Sequence, residues 1–198
     1  ELAFVKFLSA AAARTGQMLN YSEMARDVGV SVPTAERWLS VLASSGIVYL
    51  LRPFYNNITK RAIKTPKLYF LDTGLAACLT KWSDPRVLEA GSMSGAFFET
   101  FIVSEILKSY FNAGICDPPL YYYRDKEMRE IDLIIERDGR LHPIEIKKTA
   151  NPRREDVYNF YELDKIPGVV RGEGALICMY DKVLPLDGEN NAVPVSYV

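Results

Sequence analysis

Apolar residues recur at helical spacing from the start of the chain: Leu2, Phe4, Val5 and Leu8 open a stretch whose periodicity covers 2–14 and ends near Gly16. Ser22 then stands where a cap is expected for a short helix, Ser22–Val28, stopped by Gly29. Ser31 caps a third. Pro33 falls in its first turn, where a missing N–H does no harm, and Ala35, Trp38, Leu39 and Leu42 make one apolar stripe before Gly46 closes the helix. The pattern next turns to strands. Ile47–Phe54 and Lys67–Leu71 are rich in β-branched and aromatic residues, with Tyr55-Asn56-Asn57 offering turn chemistry between them. Three helices, the last two joined by a tight glycine turn, followed by two strands give the order of a winged helix-turn-helix over residues 1–72.

Residues 73–90 read as a linker with helical character, and from 91 the pattern changes again. A long helix over about 91–111 precedes strands at about 120–124, 131–136 and 141–147, then a helix near 153–164 and a strand near 174–180. The order is α-β-β-β-α-β over 91–198, and the chain as a whole is of the α/β (α+β) class with a mixed sheet. Asp138-Gly139 between the second and third strands is a two-residue hairpin signal, so these two strands are expected to pair antiparallel.

Strand and helix periodicities place a set of charges. Glu99 shares its helix face with Ile102, Val103, Ile106 and Tyr110, so its carboxylate points toward packing and needs a partner there. Alternation puts Asp132, Ile134 and Glu136 on one strand face and Ile131, Leu133 and Ile135 on the other, while Glu145 and Lys147 emerge together from the next strand. Two carboxylates supply hard oxygen ligands for Mg²⁺, with Mn²⁺ as a substitute; the metal keeps waters and accepts phosphate oxygens in its remaining positions. On this reading Asp132 and Glu145 hold the metal, and Glu99 binds a second one or holds a metal-bound water. Lys147 orients or helps deprotonate the attacking water and stabilises developing charge. The competing reading is a salt-bridge cluster at a sheet edge.

Charge divides the chain. Residues 1–84 hold 10 Lys+Arg against 6 Asp+Glu, and residues 85–198 hold 14 against 19. A basic module joined to an acidic one fits nucleic-acid contact at one end and metal binding at the other. The third helix offers Arg37 as its basic side chain on a solvent face shared with Thr34, Glu36 and Ser40, whereas the hairpin that follows carries Lys60, Arg61, Lys64 and Lys67. Lys148 and Arg153, beside the acidic constellation, are further candidates for phosphate contact. Protein docking through the winged helix is the alternative use of the same surface.

Other chemistries are poorly served. Cys78, Cys116 and Cys178 are scattered without metal-ligand spacing, and the sole histidine, His142, has neither a second histidine nor a suitable cysteine near it in sequence. A hydrolase triad around it is not expected. No run approaches the roughly 18 apolar residues of a membrane span; a cytoplasmic chain, a fragment of something longer since it opens at Glu1, is expected.

Several blocks together resemble a known family: Leu71-Asp72-Thr73-Gly74-Leu75, Gly95-Ala96-Phe97-Phe98-Glu99-Thr100-Phe101, Tyr122-Tyr123-Arg124, Glu130-Ile131-Asp132-Leu133 and Pro143-Ile144-Glu145-Ile146-Lys147. The chain resembles the domain of unknown function that forms the C-terminal half of many bacterial and archaeal AAA-type ATPases. The resemblance implies an N-terminal P-loop ATPase domain in the same polypeptide, then a winged helix, then a restriction-endonuclease-like PD-(D/E)XK domain. Its acidic and lysine positions match Glu99, Asp132, Glu145 and Lys147, although Ile131 stands where that signature has proline. No Gly-Lys-Ser/Thr phosphate loop occurs here, so ATP is expected only on the ATPase domain outside this sequence. The functional expectation is a DNA-associated accessory module with a metal-dependent nuclease site; the alternative is a non-catalytic docking or sensor module that regulates the ATPase.

Overall fold

The computed structural model describes residues 2–54 and 65–198. The chain divides into two compact units, Glu1–Leu51 with Pro66–Ser104 and Arg52–Thr65 with Glu105–Val198. It is a mixed α/β protein whose larger sheet is itself mixed.

In the first unit α1 (Leu2–Ala12), α2 (Tyr21–Val28) and α3 (Val32–Ser44) follow the expected order. Asn20, not Ser22, caps α2, its side chain accepting from Glu23 N, and Gly29 ends the helix at φ 76°. A left-handed residue after the last turn is open to glycine without a Cβ penalty. Ser31 caps α3 by accepting from Thr34 N, with Pro33 in the first turn. A three-stranded antiparallel sheet has the order β1 (Gln17–Met18), β3 (Lys67–Phe70), β2 (Val48–Leu51), and β1 was not foreseen. Phe7, Met24, Leu39, Leu42, Leu68 and Phe70 share one core here. Residues 73–90 resolve into α4 (Thr73–Leu79), capped by Asp72, and α5 (Pro85–Ala90), capped by Asp84. The turn expected at Tyr55-Asn56-Asn57 lies outside the described residues.

A long helix, α6 (Ser94–Asn112), begins in the first unit and ends in the second. The second unit carries a six-stranded sheet in the order β4-β5-β6-β7-β9-β8. These strands are β4 (Leu120–Arg124), β5 (Glu130–Arg137), β6 (Arg140–Lys147), β7 (Gly174–Cys178), β8 (Leu184–Pro185) and β9 (Asn190–Pro194). β5 and β6 pair antiparallel through Arg137↔Arg140, across Asp138 and Gly139, both at positive φ. Such a pair of left-handed residues has the twist a two-residue hairpin needs. β7 runs parallel to β6 and to β9. The expected order stopped at β7; β8 and β9 extend the sheet beyond it.

Between β6 and β7 the segment Arg154–Lys165 is a 3₁₀ helix, where the helical expectation was 153–164. Its apolar positions explain the tighter winding. Val157, Phe160, Leu163 and Ile166 recur every third residue, and three residues per turn stacks them on one face. That face packs on Ile131, Ile134, Leu141, Leu176 and Ala192 of the sheet. After this helix the chain passes close to β6 at Gly172, whose Cβ would lie 2.3 Å from the His142 ring. We expect Gly172→Ala to lower stability by about 1–3 kcal/mol, with His142→Ala recovering most of it. A denaturation midpoint unmoved by Gly172→Ala would contradict this packing.

The loop before β9 is organised by one carboxylate. Asp187 accepts from Glu189 N, Asn190 N and Asn190 Nδ2, and from the Tyr161 hydroxyl. Burial acts to raise its pKa, but these donors outweigh burial and hold it below the usual 3.8. A group depressed in the folded state stabilises above its unfolded pKa and loses that contribution as pH falls through the folded value. Acid unfolding below pH 3.8 is therefore expected to be shallower for Asp187→Asn than for the wild type, measured by circular dichroism against pH.

Candidate functional site

Regular pairing of β5 with β6 ends at Leu133↔Ile144. Against β4 the register also slips: Tyr121 faces Ile134 but Tyr123 faces Ile131, so Asp132 and Leu133 together oppose the single residue Tyr122. This is a β-bulge, which bends a strand and re-aims a side chain. The alternation expected from the sequence therefore does not run through Asp132. Ile131 and Ile134, assigned to opposite faces by a period of two, lie in the same core beneath the 3₁₀ helix.

The bulge gives Asp132 an unusual duty. Its Oδ2 accepts a hydrogen bond from the backbone N–H of Ile146 at 2.9 Å, just past the point where the ladder stops. The carboxylate takes the place of a main-chain acceptor, satisfying a donor that the parting strands would otherwise strand. Glu145 immediately precedes that N–H and Lys147 immediately follows it. Glu145 and Lys147 are half-buried while Ile144 and Ile146 are buried, as expected for alternation along β6.

Lys147 has a partner that the sequence reading missed. Its Nζ donates to Asp156 Oδ1 at 2.8 Å, and Asp156 Oδ2 accepts from Arg153 N at 2.8 Å, at the start of the 3₁₀ helix. Burial acts to lower the Lys147 pKa, but the bond to Asp156 and the charges of Asp156, Glu145 and Asp132 together hold it above the usual 10.5. Lys147 is thus an ammonium at neutral pH. The period of three that set the apolar face also places Asp156, Asn159 and Glu162 in one row. Asn159 Nδ2 donates to Glu130 O and Arg129 donates to Glu162, so the row ties the helix to the residues just before the bulge. A strict three-residue spacing of apolar positions was the signal in the sequence that could have found Asp156.

Glu99 lies in the first unit and has its own partners there. Its Oε1 accepts from Lys67 Nζ at 2.9 Å and from the Tyr69 hydroxyl at 2.5 Å. The helix-face argument demanded a partner for this acid, and the partner is a lysine that had been assigned to phosphate contact. Lys67 is 3% exposed, so its ammonium is not on a solvent-facing surface. Among the other basic candidates, Arg37 is exposed on α3 and Arg153 is exposed at the entry to the 3₁₀ helix, whereas Lys148 is half-buried. Lys60, Arg61 and Lys64 lie outside the described residues. His142 bonds Glu173 O through Nδ1, a packing role.

Among the described residues no group of three or more His, Cys, Asp or Glu side chains could hold a metal ion. Asp132 and Glu145 together offer oxygen donors only. A pair of carboxylates fits Mg²⁺ or Mn²⁺, which retain waters and complete their octahedron on substrate oxygens, and does not fit the nitrogen- and sulfur-rich shell of structural zinc.

The profile of a domain of unknown function, DUF4143, matches residues 94–198. The chain belongs to the DUF4143 family. A second domain of unknown function, DUF8612, matches residues 1–86, so the two profiles meet near the expected linker. The chain is similar to two curated relatives, Uncharacterized protein Mb2031c of Mycobacterium bovis and Uncharacterized protein Rv2008c of Mycobacterium tuberculosis. Each is 36% identical over 137 residues, a match that takes in 69% of this DUF4143 chain and 30% of the relative. The chain thus spans less than a third of the length of these relatives. No solved structure matches it. No helix among the described residues is long and apolar enough to cross a membrane.

Proposed function

We propose that the second unit of this DUF4143 protein carries a divalent-cation-dependent phosphodiester-cleaving centre built on Asp132, Glu145 and Lys147, in a restriction-endonuclease-like fold. One observation carries the reading: the Asp132 carboxylate crosses to Ile146 N where β5 and β6 part, beside Glu145 and a lysine held as a cation. Sheet edges with alternating charge produce salt bridges, but a bulge that trades a ladder bond for a carboxylate is a costlier arrangement that serves a site.

Asp132 and Glu145 would hold Mg²⁺ or Mn²⁺, which when bound neutralises charge on a phosphodiester and favours attack by water. The hydrogen bond from Ile146 N fixes the orientation of the Asp132 carboxylate. Lys147, charged at neutral pH, is suited to stabilising the negative charge that builds on the phosphoryl oxygens as water adds and the P–O ester bond breaks. It is not suited to act as the base. Glu99, bonded to Lys67 and Tyr69, is left out of the metal set in this reading.

The helices and small sheet of the first unit follow a winged-helix order, with α3 and its exposed Arg37 as the recognition element for DNA. The length of the relatives supports a larger polypeptide, and the family resemblance supports an ATPase domain within it. Burial of Lys67 reduces the cations available for phosphate contact, and this favours as a second reading a docking module that regulates such a domain. Incubating the purified chain with single- and double-stranded DNA and RNA, with Mg²⁺ or Mn²⁺ and with EDTA, tests the proposal: cleavage must need the cation.

A further inference from the structure

Two helices of the first unit end in the same closure with different residues. After α3, Gly46 N bonds Ala43 O and Ile47 N bonds Leu42 O; after α4, Lys81 N bonds Cys78 O and Trp82 N bonds Ala77 O. This Schellman pairing needs a left-handed residue at its centre, the position that glycine takes without a Cβ penalty. Gly46 fills it at φ 68°, whereas α4 puts Lys81 there at φ 63°. A lysine in that position carries backbone strain that glycine would remove. Strained residues of this kind cluster at active sites and ligand clamps.

Lys81 and Trp82 line a cavity of about 610 Å³ that lies wholly within the first unit. Lys6 lines it too, and among the described residues neither ammonium has an ion-pair or hydrogen-bond partner. The Trp82 indole N–H is likewise unbonded among them. Asp27, the acid of the lining, is paired with Arg14, so its charge is already met and the two lysines leave the cavity electropositive. The rest of the wall is mostly apolar. Val5, Ser9 and Ala13 follow one another at intervals of four along α1 and its last turn, and Leu79 and Met93 also line the cavity. The indole is held in place: a Cβ on Gly91 would lie 2.7 Å from Trp82 Cη2, so the ring rests on that backbone. A flat surface fixed before binding costs little ordering when a ligand covers it.

We propose that this cavity binds a small organic anion with a flat apolar body, its carboxylate, sulfonate or phosphate head on Lys6 and Lys81 and its body against Trp82, Leu79 and Met93. The volume falls in the range of small-molecule sites, roughly 300–1,000 Å³, where an apolar wall supplies contact and a few polar groups fix orientation. A neutral guest would leave both ammoniums unused, and a cation would meet two like charges. A nucleic-acid phosphate would use the lysines but leave the indole and Met93 uncovered. The inference is independent of the phosphodiester reading, since none of these residues belongs to the second unit.

The test uses two dyes that share an apolar body and differ in charge, the anion anilinonaphthalene sulfonate and neutral phenylnaphthylamine. Each is titrated by fluorescence into the intact wild-type chain, the Lys6→Gln/Lys81→Gln variant and Ala13→Phe, with melting temperatures as the folding control. The wild type is expected to bind the sulfonate saturably. Loss of both lysines is expected to weaken the sulfonate by roughly tenfold and to leave the neutral dye unchanged. Ala13 is exposed, so Ala13→Phe fills the cavity without disturbing the core and is expected to weaken both dyes. A wild type that does not bind the sulfonate overturns the proposal. So does a lysine variant that binds it as the wild type does, or one that loses both dyes equally. Unchanged binding by Ala13→Phe places the dye outside the cavity and overturns it as well.

Discussion

Asp132→Asn is expected to abolish cation-dependent phosphodiester cleavage while leaving the fold in place. The amide oxygen of asparagine still accepts the Ile146 N–H, so the parting of β5 and β6 is preserved and the melting temperature should move little. What disappears is the negative charge that the proposed cation site requires. A fall of at least about a hundredfold in kcat/KM is the scale on which removal of one preorganised electrostatic group acts. Lys147→Met is expected to lower kcat by a similar order, with a smaller change in KM, because its charge is used most where negative charge develops. Wild type, Asp132→Asn and Lys147→Met should be compared under identical Mg²⁺, with EDTA as the blank. Equal cleavage by all three would remove Asp132 and Lys147 from the chemistry. Equal inactivity of all three, with the cation present, would favour the docking reading.

The second large effect is on stability and concerns Glu99. Lys67 is 3% exposed and its ammonium rests on Glu99, which also takes the Tyr69 hydroxyl. Glu99→Ala takes that charged hydrogen-bond acceptor away from a buried ammonium, and loss of a hydrogen bond to a charged group costs about 1.5–3 kcal/mol. Replacing both, as Glu99→Leu with Lys67→Met, removes the charge together with its partner and is expected to return most of that loss. The comparison is made by urea denaturation of the three chains, with equal slopes as the condition for reading midpoints as stability. A Glu99→Ala chain as stable as the wild type would show that the ion pair contributes nothing to the fold. Catalysis gives an independent check: on the proposed reading, which leaves Glu99 out of the metal set, a variant that stays folded at the assay temperature is expected to match the wild type in cation-dependent cleavage.

The elements themselves were largely legible. Ser31, Pro33, Gly29 and Gly46 punctuate the first helices through local chemistry that needs no tertiary context, and Asp138-Gly139 specifies its hairpin by φ alone. Asn20 was overlooked beside Ser22 because both are good caps and only the backbone at Asn20, at φ −129°, is extended as a cap must be. The 3₁₀ helix was read as a helix of unspecified kind, though its period of three was there to count. β8 and β9 were missed for a different reason: two-residue and five-residue strands carry too little alternation to stand out, and their pairing is long-range.

For the site, residue types and spacing single out Glu99, Asp132, Glu145 and Lys147 as one constellation and require a partner for Glu99. Those conclusions follow from periodicity, which is a property of the chain alone. Three matters were decided only by the fold. The bulge at Asp132 and Leu133 arises from how β5 meets two neighbours with different registers, and no single-strand pattern encodes a mismatch between three strands. Lys67 pairs with Glu99 from 32 residues away, and Asp156 reaches Lys147 across the turn into a helix. Which counter-charge an ion finds depends on through-space distance, and a linear sequence fixes that distance only after its elements have packed.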